Sequence, residues 1–412
     1  MIAPEPHALP DLVRELHRQA APWLPAGQAT RLRWGPPVQP GVGQERPTVV
    51  STARLNRILE HAAGDFTVTV EAGLPLQHLQ EALMEQRQWL ALDWPWGSGA
   101  DGEGAGTLGG LVARGMAGGL RQRHLGVRDQ LIGIGLLRTD GTAARAGGRV
   151  VKNVAGYDLM RLLTGSWGSL ALITELTLRT VPLPPQRRGL LLQGEPQQLE
   201  PLRRRLLAAA LGPELLDWWS APLAETAGQP PLPGLLLGLA SVSGEAIADQ
   251  LAAIGSEADA AGVRRLELDS ERLEALRAVA LGPDQGCGPA DGPRTGRWLL
   301  RLGVLPAEAA ALLADPLLAG LRLSLAAGSG LGLAWAEATQ LPTYRVEALR
   351  RRCRVLGGQL TVLEQPAAAG LPAWEDAPSR PLIEAVKRQF DPLQQLARGR
   401  LPGVHTPSGL SR

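Results

Sequence analysis

The chain has 412 residues, of which 44% are hydrophobic and 20% are charged, and its formal net charge at pH 7 is +2. This is the composition of a folded protein, and the length predicts two domains. The nearly balanced charge excludes the concentrated basic surface of a nucleic-acid-binding protein. The apolar stretches are too short to cross a membrane and the N-terminus has no signal-peptide pattern, so we expect a cytoplasmic protein.

The first part of the sequence predicts alternating helices and strands. The predicted elements are a helix over residues 14–20, a strand over 47–51, a helix that carries Leu55, Ile58, Leu59 and Ala62, a strand over 66–71, a helix that begins near Pro75, and a strand over 89–92. Apolar residues recur with a period near 3.6 in the helices and near two in the strands. This order indicates a domain in which helices and strands are mixed.

The following part predicts a β-hairpin and then a domain boundary. Asp140 and Gly141 separate apolar runs over 131–138 and 142–146, and the Asp-Gly pair is a strong hairpin signal. A short helix over 159–164 and a strand over 170–181 come next. Prolines then accumulate and the composition changes, so we predict the boundary near residue 183.

The second half predicts strands that alternate with helices. The strands cover 190–192, 234–240, 264–268, 298–305, 321–325, 332–337 and 359–363, and the helices cover 199–211, 245–262, 273–281, 307–318 and 345–356. Units of this length predict an antiparallel sheet with helices on one face. A loop rich in glycine and proline spans 282–296, and the segment 382–396 is typical of a closing helix.

A glycine-rich stretch contains two candidate ligand-binding motifs. Residues 97–102 fit the dinucleotide pattern G-x-G-x-x-G, but the preceding strand and the later acidic residue are missing, so we reject a Rossmann site. Residues 106–113 place small residues where a helix is expected to begin. Main-chain amides at such a position favour a phosphate or a ring oxygen, and a tight packed turn is an equally good interpretation.

A third polar cluster covers residues 151–158 and 163–168. It lies between two apolar strands and includes Tyr157, one of only two tyrosines. Taken by itself, the cluster predicts a surface loop in which Asp158 caps the next helix.

Several short motifs, in a fixed order, resemble one protein family. They are Thr-Leu-Gly-Gly at 107–110, Gly-Val-Arg-Asp at 126–129, Asp-Gly at 140–141, Lys-Asn-Val-Ala-Gly-Tyr-Asp at 152–158 and Gly-Ser-Trp-Gly-Ser-Leu at 165–170. This set is similar to the FAD-linked oxidases of the vanillyl-alcohol oxidase type and, within them, to the E subunits of bacterial glycolate oxidases. The likeness covers residues 49–182 and returns at 387–400.

The resemblance implies an α+β fold. A PCMH-type FAD-binding domain of two α+β subdomains is expected over residues 1–183, and a smaller cap domain with an antiparallel sheet over 184–378. Residues 379–412 are expected to return to the FAD domain. Carried over by position, the residues implied to line the diphosphate or isoalloxazine are Gly106, Thr107, Gly109 and Gly110, and those implied to touch the flavin or adenosine are Gly115, Gly126, Val127 and Ile173.

Two departures from the family pattern concern binding and catalysis. The expected first diphosphate loop carries Pro36 and Pro37, which lack amide donors, so this loop predicts weaker FAD binding. It contains no histidine, which predicts a non-covalent flavin. None of the six histidines lies in the cap domain, and we identify no catalytic residue. His124, in a basic segment, is a candidate contact for FAD or for a partner.

The cysteines bear on the route of the electrons. Cys287 and Cys353 lie far apart and form no paired motif, so they hold neither an iron–sulfur cluster nor a cysteine-based zinc site, and we predict no metal. Free thiols in a reducing compartment are the simplest interpretation. The resemblance therefore implies a partner subunit that carries the iron–sulfur cluster.

The resemblance implies an FAD-binding subunit of a complex that oxidises glycolate to glyoxylate. A homologous flavin subunit would perform the oxidation, and the complex would meet a membrane only through its partners. One alternative is an independent FAD-dependent dehydrogenase of 2-hydroxy acids such as D-lactate, which uses arginine and lysine side chains in place of histidine. Another is a structural assembly subunit whose flavin site has decayed.

Overall fold

The computed structural model describes residues 1–40, 47–95, 106–149, 157–209, 212–282 and 296–405. Three of the sequence predictions concern segments outside these residues. They are the rejected motif over 97–102, most of the polar cluster over 151–158, and the loop over 283–295 with Cys287.

The first half of the chain builds a five-stranded antiparallel sheet and two small two-stranded sheets. Its elements are α1 (Leu9–Arg18), β1 (Trp23–Ala26), β2 (Thr48–Ser51), β3 (Ile58–Ala62), β4 (Thr67–Glu71), α2 (Leu76–Met84), β5 (Gln88–Trp89), α3 (Leu108–Arg114), α4 (Arg121–His124), α5 (Val127–Gln130), β6 (Leu131–Leu137), β7 (Ala143–Gly147), α6 (Leu159–Leu163), β8 (Leu172–Arg179) and β9 (Val181–Pro182). The larger sheet has the order β3-β4-β8-β6-β7, while β1 pairs with β2 in parallel and β5 pairs with β9. The predicted hairpin at Asp140 and Gly141 is confirmed, since β6 and β7 pair across it.

The helix predicted from Leu55, Ile58, Leu59 and Ala62 is wrong. Residues 58–62 form β3, an edge strand that pairs with β4 in antiparallel fashion. Ile58 and Leu59 are exposed, whereas Leu55 is buried. The helical spacing of these apolar residues therefore does not reflect one buried face, and pairing with β4 decides the local structure.

The second half of the chain forms an eight-stranded antiparallel sheet. Its elements are β10 (Gln186–Gln193), α7 (Pro196–Ala208), β11 (Leu215–Trp219), α8 (Ala221–Thr226), β12 (Gly234–Ser241), α9 (Gly244–Ala260), β13 (Arg264–Leu268), α10 (Ser270–Ala280), β14 (Arg297–Gly303), α11 (Ala309–Leu313), β15 (Arg322–Ala326), β16 (Leu331–Glu337), α12 (Thr343–Val355), β17 (Gln359–Glu364) and α13 (Arg380–Phe390). The strand order is β13-β10-β12-β11-β15-β16-β14-β17. The predicted antiparallel sheet is confirmed, and β11 and α8 are elements that the sequence analysis missed.

The two faces of this sheet belong to different cores. Helices α7, α9, α11 and α12 pack on one face, where Leu190, Leu192 and Trp218 are buried. The opposite face, with Leu191 and Leu236, joins α8, α10 and the first half of the chain in one continuous core. The prediction of helices on one face is therefore wrong for α8 and α10. One shared core holds the two sheets together.

The segment after β17 returns to the first half of the chain. The Lys387 ammonium group of α13 is buried, and it donates to the carbonyl oxygen of Ser169 at 2.7 Å and to the Asp391 carboxylate at 2.6 Å. Trp23 of β1 exchanges main-chain hydrogen bonds with the segment 395–397. This segment thereby brings residues near position 400 against the loop that follows β1.

Candidate functional site

A cleft opens on the first half of the chain, between the segment after β1, the start of α3 and the turn before β8. It encloses about 950 Å³ including its open mouth. The lining comes from parts of the segments 24–34, 106–116 and 167–173, with Trp94 and Arg400.

The loop over residues 27–30 forms one wall of the cleft and is suited to an anion. Ala29 has a φ of 61°, a left-handed conformation that non-glycine residues adopt at a cost of roughly 1–2 kcal/mol. The amides of Gln28, Ala29 and Thr30 donate to no acceptor in the part of the chain that the structure describes. Successive free amides in such a turn form a concave site for negatively charged oxygens.

Side chains add positive charge to the same wall. Arg114 of α3 donates to the carbonyl oxygen of Arg31 at 2.9 Å, and its guanidinium carbon lies 3.9 Å from the ring centre of Trp167. Arg31 also lines the cleft and lies over the rings of Trp34 and Trp94. The two guanidinium groups and the loop amides together favour a diphosphate.

Arg400, from the C-terminal segment, closes another part of the wall. Its guanidinium donates to the carbonyl oxygen of Pro36 at 2.8 Å and to that of Leu32. Burial lowers the pKa of Arg400 to about 10, so the group stays protonated at neutral pH. The cleft therefore has a buried positive charge that comes from a distant part of the sequence.

The start of α3 differs from the sequence expectation in one respect. Thr107 caps the helix, and its hydroxyl accepts from the amide of Gly110 at 3.3 Å. The amides of Leu108 and Gly109 donate to Leu74 and Ala72, so they are not free for a ligand as the sequence argument assumed. A methyl group on Gly109 would lie 2.9 Å from Ala72, which shows that this glycine serves close packing.

The residues implied by the resemblance divide into two groups. Gly106, Thr107, Gly109, Gly110 and Ile173 line the cleft.

The other implied residues lie outside the cleft lining. Gly115 ends α3 with a φ of 58°, and Gly126 and Val127 begin α5. A contact of Gly115, Gly126 or Val127 with FAD stays a prediction.

Most of the loop that lines the cleft precedes the segment 33–38, where the first diphosphate loop was expected. Residues 27–32 face the cleft, whereas Pro36 and Pro37 are absent from its lining. The difference follows from missing β1, the strand that this loop follows. The signal that would have located it is the apolar pair Trp23 and Leu24 before a segment with small residues at 26, 27 and 29. The cleft-lining arginines at 31, 114 and 400 and Gln28 were missed as well.

A second polar feature lies between the two sheets. Arg301 of β14 projects from the face opposite Leu300 and Leu302, which is the face directed at the first half of the chain. Burial lowers the pKa of Arg301, and the nearby Arg121 of α4 lowers it further. Neither guanidinium forms an ion pair with any described residue. Two cations without an acidic partner are suited to a carboxylate.

His124, the histidine considered for FAD or partner contact, is occupied at the same interface. Its Nε2 lies 3.4 Å from Glu214 Oε1, and its ring packs edge-on to Trp89 at 5.8 Å. Glu214 also accepts from Arg187 at 2.7 Å. His124 therefore joins the two halves of the chain.

The described ranges contain neither a metal-binding cluster nor a membrane-spanning helix. No group of three or more histidine, cysteine, aspartate or glutamate side chains is arranged to hold a metal there. None of the helices in that part of the chain has the length and apolar character needed to span a bilayer.

Comparison with known families identifies the cleft-bearing domain. Residues 3–147 match the family described as FAD binding domain. Residues 3–147 are therefore an FAD-binding domain, and FAD is its cofactor. The resemblance seen in the motifs is confirmed.

Relatives within this class act on hydroxy acids according to their names. Glycolate oxidase subunit GlcE of Escherichia coli K12 is 35% identical over 166 residues, which cover 40% of this chain and 43% of that protein. D-2-hydroxyglutarate dehydrogenase of Xanthomonas citri pv. viticola is 33% identical over 182 residues, 44% of this chain and 36% of that protein. Glycolate oxidase subunit GlcD of Bacillus subtilis is 33% identical over 172 residues, 41% of this chain and 34% of that protein. The match spans less than half of each relative.

A solved structure shares the fold of nearly the whole chain. Alkyldihydroxyacetonephosphate synthase superposes with a TM-score of 0.67 at 14% identity, covering 96% of this chain and 75% of that chain. At this identity the likeness concerns the fold alone. It confirms the expected α+β fold with antiparallel sheets.

The cleft fits FAD on the chemistry of its donors. The amides of residues 28–30 with Arg31 and Arg114 suit the diphosphate, and the buried Gln28 Oε1, which has no hydrogen-bond partner among the described residues, is available to an N–H or O–H donor of the cofactor. When bound, FAD supplies a two-electron acceptor.

Proposed function

We propose that the chain is the FAD-binding subunit of a complex that oxidises a small 2-hydroxy acid, with glycolate as the first candidate. The observation that carries this proposal is the cleft with free loop amides and three arginines, in a domain whose relatives are named as glycolate oxidase subunits and hydroxy-acid dehydrogenases. The flavin is held without a covalent bond, because no histidine or cysteine of the described chain lines the cleft.

The chain works beside a homologous flavin subunit and an iron–sulfur subunit in this proposal. The names of two relatives describe subunits, which supports a complex. Within the described residues, the histidine at the interface is held by Glu214 and is not placed as a free base. The complex is cytoplasmic, and any membrane contact is made by partner subunits.

A second candidate function, oxidation of the hydroxy acid by this chain itself, is favoured by Arg121 and Arg301. Their guanidinium groups would bind the substrate carboxylate between the two sheets. A carboxylate there would offset the repulsion that lowers the pKa of Arg301. This function requires a proton acceptor for the substrate hydroxyl, and a water molecule is the simplest group to fill that role.

The deciding experiment measures flavin content and its reduction in the purified chain. Stoichiometric FAD that stays oxidised with glycolate or D-lactate would support the subunit, and the missing reaction should appear when partner subunits are added. FAD that is reduced by the isolated chain would support the second candidate. A colourless protein that does not take up FAD would contradict both and favour a structural assembly subunit.

Replacement of Arg301 by Met separates the two candidates further. If this chain binds the hydroxy acid, loss of a charge-assisted hydrogen bond worth about 1.5–3 kcal/mol should raise KM roughly 10- to 100-fold with little change in FAD content. Arg204→Met is the matched control, because its side chain is 68% exposed on α7. An unchanged KM in Arg301→Met would exclude Arg301 as the carboxylate ligand.

A further inference from the structure

Two carboxyl groups from different halves of the chain face each other across the interface between the sheets. Asp217 projects from β11 of the large sheet and is 6% exposed. Asp93 follows β5 in the first half and is 5% exposed. Both line one small cavity together with Arg277 of α10 and Ser324 of β15.

A pair of glycines makes this approach possible. A methyl group on Gly118 would lie 2.8 Å from the Asp93 carboxylate, and one on Gly119 would lie 2.2 Å from Asp217 Oδ2. Any side chain at Gly119 would therefore displace Asp217. The segment 117–119 is clasped from two sides by the two carboxyl groups, and it leads directly into α4.

The two carboxyl groups are not equally satisfied. Asp93 accepts from the Leu120 amide at 2.8 Å and from Arg277 at 2.9 Å. Oδ1 of Asp217, by contrast, has no hydrogen-bond partner among the described residues. An ionised carboxylate in that position would be buried without compensation, which is costly.

Nearby charges do not offset this cost. Burial and, to a smaller extent, the negative charge of Asp93 together raise the pKa of Asp217 to about 8, and only Arg277 acts in the opposite direction. Arg277 is already engaged by Asp93 and by Glu274 of its own helix. The other elements against Asp217, namely segment 117–119, β15 and β16, present glycine, alanine, serine and leucine residues to the cavity.

The neighbouring contacts of the interface are of a different kind. Glu214, three residues before Asp217, lies between Arg187 and His124. Hydrogen bonds from these two groups lower the pKa of Glu214 although burial opposes the shift. One part of the interface is therefore a compensated ion-pair cluster, and the other is a pair of acids.

We propose that Asp217 and Asp93 form a proton-dependent latch between the two sheets. In the closed interface Asp217 is neutral, with its proton on one carboxyl oxygen. When the O–H bond breaks and the proton passes to solvent, two negative charges face each other around segment 117–119 and the interface opens. Opening releases α4 and its Arg121, so the latch couples pH to the contact between the FAD domain and the second sheet.

The sign of the pH dependence follows from linkage. An Asp that is exposed on opening has its ordinary pKa near 3.9, whereas the buried group has a pKa of about 8. Between these values opening releases a proton, so the opening equilibrium constant rises up to tenfold for each unit of pH. The stabilising contribution is complete below pH 4, falls as pH increases, and is lost at pH 8 and above.

Hydrogen exchange of the Leu120 amide tests the latch in the full-length, FAD-loaded protein. After correction for intrinsic rates, its protection should fall up to tenfold per pH unit between pH 6 and 8 and then level off. Asp217→Asn keeps the shape of the side chain without its charge, and it should abolish this slope. Asp249→Asn, an exposed site on α9, is the control and should leave it unchanged. His124 is retained in every variant, so its contact with Glu214 is common to all.

A second variant guards against a general loss of stability. Asp93→Asn removes the repelling charge and frees Arg277 for Asp217. The pH at which protection of the Leu120 amide stops falling should therefore be lower than in the wild type. Equal slopes in the wild type and in Asp217→Asn would overturn the latch. So would a slope that depends on Na⁺ or K⁺ concentration and not on pH, because a bound cation would then balance the two acids.

Discussion

The FAD cleft and the interface between the two sheets both contain buried polar groups. In the cleft many of these groups belong to the main chain, whereas at the interface they belong to side chains. In the cleft the donors are largely main-chain amides of residues 28–30, and side-chain identity matters mainly where small size is required, as at Gly109. At the interface the charged and titratable groups belong to side chains, including those of Arg301 and Asp217. In the proposed functions FAD is thus held largely by main-chain groups, whereas the pH response and the binding of the substrate carboxylate depend on side chains.

The largest loss of stability is expected from breaking the buried Lys387–Asp391 ion pair, which anchors the C-terminal segment to the first half of the chain. Asp391→Ala would leave the Lys387 ammonium group, 6% exposed, without its carboxylate and remove the acceptor of the Gln395 and Leu396 amides. Breaking a buried pair costs about 3–5 kcal/mol, so chemical denaturation should show a loss of that size. Asp249→Ala is the control. A loss below 1 kcal/mol would show that the returning segment does not support the first half.

A smaller change in free energy, this time of FAD binding, is expected from replacing Arg400, the cleft arginine that comes from the C-terminal segment. Arg400→Met should raise the dissociation constant of FAD roughly 10- to 100-fold, since a hydrogen bond from a charged group contributes about 1.5–3 kcal/mol. Titration of the apoprotein with FAD, followed by flavin fluorescence, measures this. Arg398→Met, two residues away and outside the cleft lining, should bind FAD like the wild type. Equal affinities in both variants would remove Arg400 from the site.

The smallest change in the free energy of unfolding is expected at β3, the edge strand of the first sheet. Ile58→Thr should change the free energy of unfolding by no more than about 0.5 kcal/mol, because Ile58 is 38% exposed. Leu55→Ala, at a buried position of the same apolar pattern, should cost about 2–5 kcal/mol. Thermal and denaturant unfolding of the two variants would tell them apart. Similar losses of stability in both variants would contradict the difference in burial between Ile58 and Leu55.

Local patterns predicted most of the fold, since strands such as β4 and hairpins such as that at Asp140 depend on neighbouring residues. The errors arose where distant contacts decide the structure. Residues 58–62 pair with β4 against their helical spacing, and β1 was overlooked because its partners come from β2 and the C-terminal segment. The cleft was located from its glycine motif. Arg400 and Asp217 carried no local signal, because their importance comes from burial beside groups far away in sequence.

The position of Arg400 in the sequence determines when the wall of the cleft is completed during biosynthesis. The loop after β1 emerges from the ribosome early, but the wall that Arg400 completes exists only once nearly the whole chain described here has been translated. A nascent first half therefore lacks one of the three cations of its cleft, and the Lys387 anchor that brings that cation into place. If Arg400 binds the flavin as proposed, full affinity is acquired only after the second sheet has been synthesised, and an incomplete chain binds the cofactor more weakly.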